Sequence, residues 1–177
     1  MATLINLQFT VFKAARVIGK MIFGQVKPEN NPLPAFWDQC INDGTFTTLK
    51  NMKEYLVIPD YVGWMGEYDP ATGRFCYIVG MLMKPEAPVP TGYVCRDLPE
   101  CTMGIAWVKG REDNGEIYFE GMNLTLAALE EKGYRYDNTA GYSIEVYDYE
   151  RFVIPMQQGV KEVILDYYVP CLAESEA

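Results

Sequence analysis

The predicted order of secondary structure repeats once along the chain. Residues 15–24 (ARVIGKMIFG) and 100–110 (ECTMGIAWVKG) are each typical of a β-strand, and each precedes a helical segment and two further strands. The stretch 84–92 (KPEAPVPTG) contains three prolines and is typical of a stiff connector. Each copy alone is too small for a large core. The sequence therefore predicts one α+β domain of two tandem strand-helix-hairpin repeats, at about 1–86 and 88–172, with antiparallel sheets and pseudo-twofold symmetry.

The first repeat shows its hairpin most clearly. Strands are predicted over 5–12, 61–69 and 74–83, and the last two flank the turn sequence DPATG, whose proline and glycine suit a tight reversal. The segment 27–34 (KPENNPLP) is turn-like and leads into a helix predicted over 35–44, which ends at a glycine. This repeat therefore reads strand, helix, hairpin.

The second repeat follows the same order. An apolar stripe within 112–134 predicts a helix, and the segments 142–152 and 160–170 predict two antiparallel strands. Aligning WMGEYD of the first repeat with SIEVYD of the second places Gly66 opposite Glu145. We therefore expect halves that are alike in shape but unlike in charge, with a ligand groove between them to which one half supplies Glu145.

Charge and composition exclude several classes of function. The formal net charge is −9, and Lys and Arg form no cluster of the kind that binds phosphate, so direct nucleic-acid binding is not expected. An acidic protein of this kind attracts organic cations instead. The chain has no histidine, which rules out Ser-His-Asp and Cys-His catalysis within it and removes the commonest metal ligand. No metal or other cofactor is therefore predicted.

The cysteines indicate a reducing compartment. Their number is odd and no C-x-x-C spacing occurs, so we expect reduced structural thiols. The first residues lack the pattern of a signal peptide, and no apolar run is long enough to span a membrane. The sequence therefore predicts a cytoplasmic protein without membrane association. The cysteines are Cys40, Cys76, Cys95, Cys101 and Cys171.

The stretch 140–152 (AGYSIEVYDYERF) contains the main candidate for a binding site. Strand alternation places Glu145 and Tyr147 on one face, between apolar and aromatic neighbours. An exposed strand carboxylate is one explanation, and a pocket that needs a fixed negative charge is the other. Trp64 and Trp107, on corresponding early strands of the repeats, and Tyr77, on the returning hairpin strand, are candidate pocket walls or simply core residues.

Two further carboxylates suggest a different chemistry. Glu116 and Glu120, in GEIYFEG, would form with Glu145 a carboxylate pair for acid–base work. The alternative is a solvated helix start, where acidic side chains favour the helix dipole.

Several segments together resemble the GyrI-like family, the effector-binding domain found at the C-terminus of some AraC-type and MerR-type multidrug regulators. The matching segments are 73–83 (GRFCYIVGMLM), 89–110 (VPTGYVCRDLPECTMGIAWVKG), 142–152 (YSIEVYDYERF) and 160–170 (VKEVILDYYVP). Each is weakly specific, but their order over two repeats carries the resemblance, which extends from about Phe9 to Pro170.

This resemblance implies a pseudo-twofold α+β body with a groove between its halves. In the family an acidic residue of the E-[IV]-Y strand meets cationic aromatic drugs, and that position here is Glu145. The chain resembles the stand-alone bacterial members, which carry no DNA-binding module, and most of all those with a segment like FWDQCINDG (36–44). Such proteins sense or sequester small molecules, inhibit an enzyme such as gyrase, or hydrolyse strained cyclopropane compounds.

We therefore expect a protein, related to transcription regulators, that binds lipophilic, cationic, aromatic small molecules as a sensor or sequestering protein rather than an enzyme. Glu145 would be the charge partner, and Tyr147, Trp64, Trp107 and Tyr77 the aromatic walls. One alternative is a small hydrolase of strained-ring toxic compounds. Another is an acidic inhibitor of a topoisomerase-like protein partner. The residues leave the natural ligand and the oligomeric state open.

Overall fold

The computed structural model describes residues 1–25 and 31–174. Its contacts divide the chain into two units: unit 1 consists of Met1–Phe12 and Cys101–Ala177, and unit 2 of Lys13–Glu100. Each unit combines an antiparallel sheet with helices, so the predicted α+β class with antiparallel sheets is confirmed.

The strands and helices follow the predicted order closely. In chain order the strands are β1 (Thr3–Phe12), β2 (Ala15–Gln25), β3 (Tyr61–Asp69), β4 (Arg74–Met83), β5 (Val94–Leu98), β6 (Cys101–Arg111), β7 (Tyr134–Tyr136), β8 (Tyr142–Tyr147) and β9 (Glu162–Ala173). The helices are α1 (Leu33–Asn42), α2 (Thr45–Lys50), α3 (Glu116–Glu131) and α4 (Ile154–Gln157), with a 3₁₀ turn at Lys53–Tyr55 and a π-helical segment at Tyr149–Val153. The turn predicted over 27–34 lies partly outside the described residues.

Unit 2 has the strand order β3-β4-β2-β5, and all its neighbouring strands are antiparallel. The predicted hairpin is confirmed, because β3 and β4 pair directly, with Asp69 opposite Arg74. The sequence did not predict β5, which follows the proline-rich connector and pairs with β2.

The core of unit 2 lies between α1, α2 and one face of this sheet. Cys40 of α1 and Phe46 and Leu49 of α2 are buried against alternate residues of β4, as expected when one face of a strand is covered by helices. The core is rich in methionine and aromatic side chains, which fill irregular space well. Its buried sheet residues include Ile18, Tyr77, Val79, Met81 and Met83.

Unit 1 has the strand order β1-β6-β9-β8, with β7 pairing separately with β9. The predicted antiparallel pairing of the strand around Glu145 with the strand over 160–170 is confirmed by β8 and β9. Helix α3 packs closely on one face of this sheet. A Cβ atom at Gly121 would lie 2.3 Å from the ring of Tyr167, so only glycine allows this approach.

The outermost strand of each unit comes from the other side of the predicted repeat boundary. β1 precedes β2 along the chain but pairs with β6, and β5 precedes β6 but pairs with β2. The units therefore divide near residues 12 and 100, whereas the predicted repeats divide within 84–92. Both units nevertheless share one strand order across the sheet. An outer strand is followed by the strand that precedes the helix in the chain, then by the second strand of the hairpin and finally by its first strand. The superposition of two repeat backbones stays a prediction.

The strand predicted over 142–152 is shorter in the structure. β8 ends at Tyr147, and the side chain of Asp148 then accepts hydrogen bonds from the backbone N–H groups of Glu150 at 3.0 Å and Arg151 at 2.8 Å. An aspartate in this position starts a helix, because its carboxylate satisfies N–H groups that have no partner within the helix. The chain turns here into the π-helical segment and α4.

Within the described part of the chain, no helix combines the length and apolar character needed to cross a bilayer.

Candidate functional site

Glu145 occupies a buried position in the sheet of unit 1. It lies on β8 opposite Tyr167 of β9, which in turn lies opposite Ala106 of β6. Directly opposed residues share a face of an antiparallel sheet, so all three are on the face covered by α3. Glu145 is only 8% exposed, which excludes the explanation that it is an exposed strand carboxylate. Carboxylates are seldom buried without a structural or functional reason.

Tyr147 shares this face, as strand alternation predicts. Its hydroxyl donates a hydrogen bond to Glu145 Oε2 at 3.0 Å, and its side chain is buried. The two residues are neighbours on one rigid strand, so the sequence itself aligns the donor with the carboxylate.

Two more tyrosines lie close enough to Glu145 for its charge to affect them. Burial raises the pKa of Tyr167 well above its ordinary value, and the negative charge of Glu145 raises it further. Burial likewise raises the pKa of Tyr118 of α3, with additional contributions from Glu112 and Glu145. Both phenols therefore stay neutral at physiological pH. The Tyr167 hydroxyl donates to the backbone oxygen of Ile117 at 2.8 Å, and this bond ties β9 to the first turn of α3.

This arrangement places the Glu145 carboxylate among tyrosine side chains of unit 1. The Tyr147 hydroxyl is a neutral donor, so its hydrogen bond stabilises the ionised form of the carboxylate without cancelling its charge. An ionised carboxylate in such surroundings can attract a cation.

Trp107 is not brought together with Glu145. It lies opposite Asp166 on the other face of the sheet of unit 1, and the guanidinium of Arg151 lies 4.2 Å from its ring centroid. Arg151 also binds Asp166, with Nη2 2.6 Å from Oδ2, and Asp166 is 2% exposed. Trp107 thus belongs to a second, separate cluster of unit 1.

Tyr77 and Trp64 lie in unit 2, on opposite faces of its sheet. Tyr77 is in the core beneath α1 and α2, and its hydroxyl accepts a hydrogen bond from Trp37 Nε1 at 3.2 Å. The ring of Trp64 covers Gly66, where an added Cβ atom would lie 2.4 Å from the indole. Gly66 lies opposite Cys76, which alternates with Tyr77 along β4, so Gly66 is on the face away from the helices. Met65 of β3 lies opposite Tyr77 on the face covered by the helices, as Glu145 of β8 lies opposite Tyr167 in unit 1.

Glu116 and Glu120 of α3 bind the first two residues of the chain and do not pair with Glu145. Glu116 Oε2 lies 3.0 Å from the Met1 amine, and Glu120 Oε2 accepts a hydrogen bond from the Ala2 backbone N–H at 2.7 Å. The predicted carboxylate pair with Glu145 is therefore not formed by these residues. Among the described residues, no group of three or more cysteine or acidic side chains is arranged to hold a metal ion.

Sequence reasoning missed two tyrosines near Glu145. Tyr118 lies on α3 and Tyr167 on β9, and the Tyr118 hydroxyl donates to Glu112 Oε1 at 3.4 Å. The predicted pairing of the strands around 145 and 167 was the one available signal for Tyr167. No local pattern points to Tyr118.

Solved structures with the same fold span nearly the whole chain. SAV2435, whose structure was determined bound to tetraphenylphosphonium, is 9% identical with a TM-score of 0.63, and the match covers 95% of this chain and 94% of that one. The C-terminal domain of EcmrR is 12% identical with a TM-score of 0.57 over 95% and 98% of the two chains. The integron cassette protein VCH_CASS2 of Vibrio cholerae is 11% identical with a TM-score of 0.58 over 97% and 99%.

The likeness is one of structure, since the identities are far below those of evident relatives. The sequence matches no protein-family model, and no curated protein is similar enough to be recognised as a relative. The chain has the α+β fold of SAV2435 and of the C-terminal domain of EcmrR, and α+β is the class that its resemblance to the GyrI-like family implied.

Proposed function

We propose that this protein binds lipophilic organic cations with aromatic groups, as a sensor or a sequestering protein, and that Glu145 is the counter-charge. The observation that carries the proposal is the buried Glu145 carboxylate, which accepts a hydrogen bond from Tyr147 and lies among further tyrosines on the face covered by α3.

Burying a charge without a partner and pairing it with an opposite charge have opposite effects on free energy. A carboxylate removed from water lowers the stability of the empty protein unless hydrogen bonds compensate for its lost hydration. A bound cation recovers part of this loss as binding free energy. A lipophilic cation is weakly hydrated and loses little on leaving water, so it suits such a site better than a small metal ion. The tyrosine rings add cation–π attraction and apolar contact.

The comparisons support small-molecule binding in general. SAV2435 was solved with tetraphenylphosphonium, a lipophilic aromatic cation, and the EcmrR domain belongs to a protein also solved in a complex with DNA. These proteins share the fold of this chain. The preference of this chain for cationic or aromatic ligands is part of our proposal.

The proposed site consists of Glu145 and Tyr147 from the sequence prediction, together with Tyr118 and Tyr167. We leave Trp107 and Tyr77 out, because Trp107 lies on the other face of its sheet and Tyr77 is core beneath α1 and α2. A contact of Trp64 with ligand stays a prediction. The cytoplasmic location also stays a prediction, as do the lack of direct nucleic-acid binding and any protein partner.

Calorimetry with Glu145→Gln tests the proposal. The probes are tetraphenylphosphonium and its neutral relative triphenylphosphine oxide. Loss of one partner of a desolvated charge pair costs about 2–5 kcal/mol of binding, so the cation should bind roughly ten- to a thousand-fold more weakly, with the neutral probe nearly unchanged. The matched control is Glu162→Gln, which removes the same charge from a carboxylate on β9 whose side chain is 56% exposed.

Three results would contradict the proposal. If both probes weaken equally in Glu145→Gln, the residue maintains the shape of the site and does not supply its charge. If the affinity for the cation is unchanged, or if Glu162→Gln lowers it as much, the attraction comes from the overall acidity of the protein.

A further inference from the structure

We propose that Arg151 and Phe152 are positioning residues that hold the Tyr147 hydroxyl against Glu145. They do so through a brace on the opposite face of the unit 1 sheet, formed by Arg151, Asp148, Asp166 and Trp107. This inference rests on the proposed function of Glu145, and it assigns a role in that site to a cluster that does not touch Glu145.

The brace connects the π-helical segment to three neighbouring strands of the unit 1 sheet, β6, β9 and the end of β8. The Arg151 guanidinium makes two hydrogen bonds to Asp166 of β9, at 2.6 Å and 3.3 Å, and lies 3.0 Å from Asp148 at the end of β8. Its planar face covers the ring of Trp107 of β6, 4.2 Å from the centroid. A guanidinium held by two carboxylates and an aromatic face has little freedom, because its hydrogen-bonding groups lie in one rigid plane.

Burial makes this contact obligatory. Asp166 is 2% exposed, and the Arg151 side chain is 28% exposed. A buried carboxylate without a partner is strongly unfavourable, so Asp166 keeps Arg151, and with it the π-helical segment Tyr149–Val153, against β9. Inserted π-helical turns of this kind are frequent at functional sites.

Phe152 carries the constraint to the binding site. It follows Arg151 directly in the chain, is 8% exposed, and meets the ring of Tyr147 edge-on with centroids 4.8 Å apart and planes at 89°. The Tyr147 hydroxyl lies 3.0 Å from Glu145 Oε2. A shift of Phe152 therefore frees the Tyr147 ring, and the hydroxyl no longer points at the carboxylate.

The test uses Phe152→Leu and Arg151→Met with tetraphenylphosphonium as the probe. Each substitution should weaken its binding about two- to thirty-fold, the range found for residues that act on a site through others. Two substitutions of the same kind in unit 1 are controls. Phe12→Leu changes a buried phenylalanine that meets Tyr168 edge-on at 6.5 Å. Arg111→Met removes an arginine that binds Asp113 with two hydrogen bonds at the surface.

A double-mutant cycle separates positioning from general loss of structure. In a Tyr147→Phe background, Phe152→Leu should change the affinity less than about two-fold, since the hydroxyl that it positions is gone, while its effect on thermal stability persists. If Phe152→Leu weakens binding equally with and without the Tyr147 hydroxyl, the positioning role is refuted.

A second readout needs no ligand. With ¹³C-labelled tyrosine, the ζ-carbon resonance of Tyr147, assigned by its loss in Tyr147→Phe, reports the hydrogen bond to Glu145 in the empty protein. It should shift in Arg151→Met, which leaves the aromatic ring of Phe152 in the protein, but not in either control. An unchanged resonance in Arg151→Met overturns the inference. If the wild-type protein fails to bind tetraphenylphosphonium, the proposed function fails for this probe, and the resonance still decides whether the brace positions Tyr147.

Discussion

Each unit has a buried tyrosine on a strand beneath its helices, Tyr167 on β9 and Tyr77 on β4. In unit 1, Tyr167 of β9 lies beneath α3 and opposite Glu145, and its hydroxyl donates a hydrogen bond to the Ile117 backbone oxygen at 2.8 Å. In unit 2, Tyr77 of β4 lies beneath α1 and α2 and lies opposite Met65, and its hydroxyl accepts from Trp37 Nε1 on α1.

The difference between the pairs lies in the residue across the strand. In unit 2 a thioether packs against an apolar core, which is the ordinary use of such a position. In unit 1 the residue across the strand from the tyrosine is a carboxylate, with a hydroxyl donor from Tyr147. Burying a carboxylate costs more than burying a thioether, and this difference distinguishes unit 1 from unit 2. Four predictions test this comparison.

The largest effect should come from removing the tyrosines. Truncation of a large buried aromatic side chain leaves a cavity, so Tyr167→Ala and Tyr77→Ala should each lower the free energy of unfolding by about 3–5 kcal/mol in urea denaturation. Tyr68→Ala is the control, because Tyr68 is 58% exposed. A loss below about 1 kcal/mol at one of the two positions would show that the buried tyrosine contributes much less to the stability of that unit than to that of the other.

The second prediction moves the carboxylate into unit 2. Met65→Glu introduces a partly buried charge without the tyrosine arrangement of unit 1, so the free energy of unfolding at neutral pH should fall by about 2–3 kcal/mol. The loss should shrink as the pH falls and the new carboxyl is protonated. Met65→Gln is the control for shape and polarity. If Met65→Glu is as stable as wild type, the environment of Glu145 has no special ability to hold a charge.

The third prediction compares the two hydroxyls. Tyr167→Phe removes a fully buried hydrogen bond between β9 and α3 and should lower the free energy of unfolding by about 1–1.5 kcal/mol. Tyr77→Phe should lower it by about 1 kcal/mol or less, because its partner Trp37 is only half-buried and its indole N–H can find water. Thermal and urea unfolding measure both variants, and the reverse order would contradict the stronger tie between sheet and helix in unit 1.

The smallest effect concerns alkaline pH. Burial raises the pKa of Tyr118 far above its ordinary value of about 10, with a smaller contribution from Glu112 and Glu145. A raised pKa favours the neutral form in the folded state. The resulting stability is present in full below the pKa of the unfolded chain, and it is lost as the pH rises above about 10 towards the folded pKa.

Tyr118→Phe should therefore flatten the decline of the unfolding free energy between about pH 9 and 11, by about 1 kcal/mol at the upper end. The exposed Tyr68 provides the control substitution Tyr68→Phe. Equal slopes for wild type and Tyr118→Phe would show that the environment of Tyr118 does not favour its neutral form.

Local patterns in the sequence determined the elements and one half of the candidate site. Alternation placed Glu145 and Tyr147 on one face, and the turn DPATG predicted the β3–β4 hairpin. The neighbouring strands around 145 and 167 were also predicted to pair, as β8 and β9 do. These features depend on residues close in the chain, whose geometry follows from the two-residue period of a strand and from turn chemistry.

Tertiary structure alone decided the rest. No local pattern indicates that β1 pairs with β6 and β5 with β2, that Trp107 lies on the opposite face from Glu145, or that Asp148 ends the strand and starts a π-helical turn. Strand neighbours are chosen by hydrogen bonds and packing between distant segments, and a shift of one residue in register reverses every side chain. The tyrosines of α3 and β9 reach Glu145 for this reason, and its burial follows from packing that no short stretch of sequence contains.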